Sequence, residues 1–134
     1  MRSTLMPAPF VLPNLSDEVL TAKFFRALGD PTRLRILQLV LDEEKNVTEL
    51  VQLTGSPQGR VSSHLACLRW CGYVTTRREG RRVYYRVADP RVRELLVLAA
   101  SLVRDHTDRI RSCTLIDGRR ARRTRTRRQR PRTV

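Results

Sequence analysis

Aromatic residues are scarce in this 134-residue chain, at 5%. A core must therefore be assembled mostly from Leu, Val and Ala. Long apolar runs are missing too. Nothing approaches the ~20 consecutive residues a membrane-spanning helix needs, which excludes such a helix. Cysteine is sparse and odd in number, three in all. That count, with spacings unlike those of small secreted scaffolds, argues against a disulfide framework and fits free thiols in a reducing cytosol. The N-terminal stretch Met1 to Leu15 holds apolar side chains, but Pro7, Pro9 and Pro13 interrupt them. No small-residue cleavage site follows, so residues 1–15 read as a flexible arm and not as a signal peptide. Acidic residues are the last shortage: 13 Asp and Glu stand against 27 Lys and Arg, a formal net charge of +14.

That balance points to polyanionic partners, either nucleic acid or an anionic membrane surface. Part of it sits in residues 119–132, which hold many Arg and no acid. From Gly118 onward there is no apolar period, and the tail is expected to be disordered. No acid/base pair, Gly-rich phosphate loop or nucleophile–base arrangement stands out, so no enzyme is expected. The expected organisation is an arm over residues 1–15, one domain over 16–112 and a C-terminal segment over 113–134.

Within the domain, Ser16 with Asp17 and Glu18 reads as a helix start, and Gly29 as its end. Asp30-Pro31 restarts a helix at once, with Leu34, Leu37, Val40 and Leu41 as its buried stripe and Arg33 and Arg35 off it. Asp42 to Lys45 is a polar connection. Asn46-Val47-Thr48-Glu49 has the form of a capping box and opens a short helix. Thr54-Gly55 is a tight turn, and Ser56-Pro57 caps the next helix, which runs to about Cys71. Two short helices joined through a Gly turn form a helix-turn-helix.

After Gly72 the period changes. Residues 73–78 and 81–87 read as two strands joined at Glu79-Gly80. Asp89-Pro90 then starts one long last helix, with Val92, Leu95, Leu96, Ala99, Leu102, Val103 and Ile110 on its apolar face. That face exceeds what so small a domain needs, and part of it, with part of the first helix, reads as a dimer interface. Ordinary core packing is the alternative.

Residues 55–71 carry the chemistry. At about 100° per residue, Val61, Leu65 and Leu68 face the core. Gln58, Arg60, Ser62, Ser63 and His64 then lie outward or at the flank. Gln and Arg are suited to adenine and guanine edges, and Ser to phosphates or base edges. Arg78, Arg81 and Arg82, with Tyr84, sit on a basic hairpin suited to the DNA backbone or an adjacent minor groove. Taken singly, each has a plain alternative: surface serines, a packed histidine, a solvated hairpin tip. It is their sum in an excess-positive chain that points to DNA.

Ala27-Leu28-Gly29-Asp30-Pro31-Thr32-Arg33-Leu34-Arg35-Ile36-Leu37 resembles the opening signature of the ArsR/SmtB family of winged-helix repressors. Val61-Ser62-Ser63-His64-Leu65 and Glu79-Gly80-Arg81-Arg82-Val83-Tyr84-Tyr85 are similar to its recognition helix and wing. The resemblance covers roughly residues 16–110. It implies a mainly α fold with a small β-hairpin, a winged helix-turn-helix. It also implies a homodimer on double-stranded operator DNA, cytoplasmic and nucleoid-associated, with repression that ends when an inducer binds.

Cys67 and Cys71 are an i,i+4 pair on one flank of the same helix. The only other thiol is Cys113. Three thiolates suit large soft ions such as Cd(II), Pb(II) or Hg(II). Structural Zn(II) usually wants a fourth ligand, for which His64 and His106 are the available imidazoles. The pair plus a C-terminal Cys is similar to the cadmium- and lead-sensing, CmtR-like branch of the family, with its mercury-responsive repressors a near alternative. That branch implies Cys113 as third ligand, donated by the partner chain. A thiol-based redox sensor on the same DNA-binding scaffold is the competing expectation.

Overall fold

The computed structural model describes residues 15–117. The expected arm (save Leu15) and the Arg-rich tail lie outside them. The described chain falls into two compact units that divide between Arg93 and Glu94.

The first unit opens with α1 (Leu15–Leu28) and α2 (Pro31–Leu39). Asp30 caps α2 as expected: its carboxylate accepts the N–H of Arg33 at 3.0 Å. Next come β1 (Lys45–Asn46), α3 (Val47–Thr54) and α4 (Gln58–Trp70). The side chain of Asn46 caps α3 by accepting the Glu49 N–H at 2.9 Å. Gly55 ends α3 at φ +69°, a left-handed conformation that favours glycine, and its N–H donates to the Val51 carbonyl. The wing is β2 (Thr75–Glu79) and β3 (Arg82–Arg86), antiparallel and turning at Gly80.

The core of this unit is aliphatic, with one aromatic contribution. Ile36, Leu37, Leu50, Val61, Leu65 and Leu68 are fully buried, and Tyr73 nearly so. Burying each such aliphatic side chain contributes about 1.5–3 kcal/mol. Tyr73 stacks on Phe24 with ring centroids 4.5 Å apart, and its hydroxyl donates to the Phe24 carbonyl at 2.8 Å. This pair fastens α1 to the turn after α4.

Several expectations change. The expected β2–β3 hairpin forms, but β1 also pairs with β3, giving a three-stranded sheet ordered β1-β3-β2. The polar connection thus ends in a strand. Ser56 does not cap α4. Pro57 holds the N-cap position, and its ring has no polar atom with which to cap, while the Ser56 N–H donates to the Thr54 hydroxyl. In α2, Ile36 is fully buried and Leu34 half-buried, while Leu41 lies past the helix end and is also half-buried. Tyr73 and Val74 are buried ahead of the first wing strand, not within it.

The second unit begins inside α5 (Pro90–Asp105) and continues with α6 (Thr107–Ser112). The expected single long helix is broken at His106, whose backbone leaves the helical region at φ −123°. No described residue of this unit is fully buried. Val97, Leu98, Leu102, Val103 and Ile110 are all exposed. No helix among the described residues is long and apolar enough to cross a membrane.

Candidate nucleic-acid interface and thiol pair

The helix α4 has two working ends. Its inner stripe of Val61, Leu65 and Leu68 is fully buried, which fixes the rotation of the helix about its axis. Gln58, Arg60, Ser62 and Ser63 are consequently exposed. Ser63 folds its hydroxyl back onto the Gly59 carbonyl at 3.0 Å. His64 departs from the outward group. It is half-buried, with Nε2 3.9 Å from the Asp30 carboxylate, at the start of α2. The Asp30 carboxyl is held below the usual carboxylate range, chiefly by the Arg33 N–H and to a lesser degree by His64.

On the wing, Arg78, Arg81 and Arg82 are exposed and have no acidic partner among the described residues. Arg77 differs. It donates to Glu44 and Glu79, and its guanidinium lies 4.9 Å from the Tyr84 ring centroid. Tyr84 therefore serves first as a platform for a neutralised arginine. Arg81 and Arg82 also line an open groove of about 500 Å³ with Asn46, Thr48 and Glu49 at the start of α3.

At the other end of α4, Cys67 and Cys71 are half-buried free thiols four residues apart. Burial, then the neighbouring Cys67, pushes the Cys71 thiol up, while the charges of Lys23 and Arg33 partly offset this. Arg33 donates from Nη1 to the Cys67 sulfur at 3.2 Å. Sequence periodicity had set Arg33 aside as lying off the buried face of α2. The partner is 34 residues away, so nothing in the local pattern announces it. Tyr73 also adjoins the pair: its hydroxyl is pushed up by burial first, then by Cys71 and Cys67.

Cys113 lies in the second unit, at the C-cap of α6, and is half-buried. His106 is exposed, with no side-chain cap bond. No group of three or more His, Cys, Asp or Glu poised for a metal forms among the described residues. The described chain thus brings together two of the three expected donors. Two adjacent sulfurs with a cation beside them fit a soft ion as a partial ligand set.

Helix-turn-helix, capped support helix and basic wing define a winged helix-turn-helix regulator. The model for bacterial regulatory proteins of the arsR family matches residues 30–76. A probable mercury resistance operon repressor of Streptomyces lividans is 50% identical over 98 residues, covering 73% of this chain and 78% of that one. The transcriptional regulator CmtR of Mycobacterium bovis is 47% identical over 68 residues, covering 51% and 58%. Among solved structures, a homodimeric winged helix-turn-helix DNA-binding domain from Mycobacterium bovis superposes with a TM-score of 0.65 at 31% identity, over 74% of this chain and 92% of that one. This chain belongs to the arsR family of bacterial regulatory proteins.

Proposed function

We propose that this protein is a repressor that binds operator DNA as a metal-free homodimer and lets go when a soft metal ion, Cd(II), Pb(II) or Hg(II), is held by Cys67, Cys71 and Cys113. One observation carries the reading: the thiol pair sits on the same helix as the exposed Gln58, Arg60, Ser62 and Ser63. Whatever tilts one end of α4 moves the other. The name of the mercury-resistance repressor agrees with a metal effector. Val97, Leu98, Leu102 and Val103 of α5 and, separately, Val19, Leu20 and Phe25 of α1 are exposed apolar residues, as a chain that pairs with a second copy requires.

In this reading Gln58, Arg60, Ser62 and Ser63 read the major groove, with His64 at the flank. Arg78, Arg81 and Arg82, with Tyr84 beside them, grip the backbone. Cys113 completes the thiolate set, by family resemblance from the partner chain. Thiol protons leave as the ion is held, so affinity rises with pH. A coupling of about 1–3 kcal/mol between ion and operator lowers DNA affinity by roughly 5–150-fold. A mobility-shift titration checks this: the operator complex should dissociate with one or more of the three ions, and operator affinity unchanged by all three refutes the reading. Against the redox alternative, burial pushes the Cys71 thiol up, away from the lowered range of a reactive sensor thiol. Peroxide-dependent, metal-indifferent release of DNA would restore it.

A further inference from the structure

We propose that Arg33 is a positioning residue of the thiolate site, keeping its N–H on the Cys67 sulfur when metal is held and offsetting the negative charge of the complex. The inference rests on the metal reading above and adds a residue from outside the thiol set. Three thiolates around a divalent ion leave a net charge of −1, and half-buried surroundings make such a charge costly unless a cation stands close. Arg33 is such a cation, 3.2 Å from the sulfur of Cys67, and Lys23 adds a second positive charge acting on Cys71.

A second observation concerns the same side chain. Its Nε is buried with no hydrogen-bond partner, the one such side-chain nitrogen or oxygen among the described residues. Folding alone disfavours an orphaned N–H. The fold accepts it while directing Nη1 to the sulfur. Arginine suits this task, because its planar fork fixes where each N–H points and its charge is permanent. A hydrogen bond to a metal-held thiolate both orients the sulfur and lowers the energy of its lone pairs.

The test uses the full chain and Cd(II), followed by thiolate-to-metal absorption and by competition with a chelator. Wild type should show the absorption band. Arg33→Met should bind the same number of ions per chain about 10–100-fold more weakly, with the band moved to lower energy. Arg33→Lys, which keeps the charge, should recover part of the affinity. Should Arg33→Met not fold, Arg33→Lys still decides, since loss of the planar fork should leave its band below that of wild type in energy. Wild-type affinity and band position in the variants overturn the inference while leaving the metal reading intact. Absence of the band in the wild-type protein overturns both.

Discussion

Helices α2 and α3 are closed at their N-termini, whereas α4 is open. Asp30 and Asn46 each accept an N–H from the first turn of the helix they precede. Before α4 stands Pro57, with no side-chain cap bond, so among the described residues no side chain closes the first turn of that helix. Supporting helices satisfy themselves, while a helix meant to meet an anion leaves its donors, and the positive end of its dipole, for the ligand. On the proposed reading, the difference separates residues that hold the fold from residues that do the binding.

The inner faces are where the helices should behave alike. Leu50→Ala in α3 and Leu65→Ala in α4 should each cost about 2–5 kcal/mol in denaturant unfolding. A much smaller loss at Leu65 would mean that α4 is not anchored as its burial implies. On the outer face the helices should part. Arg60→Ala should weaken operator binding by about 1–3 kcal/mol and leave stability within about 0.5 kcal/mol. Equal binding by the variant would remove Arg60 from the interface. At the closed end, Asn46→Ala should lower stability by about 1 kcal/mol through loss of the cap, read as a shift in denaturation midpoint.

The smallest effect concerns acid. The folded-state pKa of Asp30 lies below its ordinary value, so its contribution is present above the unfolded carboxylate pKa and is lost as pH falls through the folded one. Wild-type stability should therefore decline between about pH 5 and pH 3 more steeply than that of Asp30→Asn. Parallel acid limbs would show that the cap carries no charge-dependent stabilisation.

What was legible in the sequence was local. Asp30-Pro31 and Asn46 start helices through bonds spanning three residues, and Gly55 and Gly80 take left-handed turns that glycine favours. The Val61, Leu65 and Leu68 stripe follows from helical period alone. What escaped depends on distant partners. The two residues of β1 are polar and become a strand only because Tyr84 and Tyr85 lie opposite. Arg33 turns toward a sulfur that another helix supplies. The break at His106 follows an apolar pattern that runs on unbroken, so periodicity passed over it. Of the candidate site, the thiol pair and the exposed polar group were readable, whereas the approach of His64 to Asp30 and that of Arg77 to the Tyr84 ring were not.

Asn46 belongs to two structures at once. Its side chain closes α3, and its backbone pairs with Tyr84 in the wing. Wing and support helix are therefore geared together at one residue. A wing hung on its own hairpin alone would swing independently of the helices. Geared in this way, it keeps a set distance from the helix-turn-helix, so any tilt passed along the first unit reaches wing and helices together.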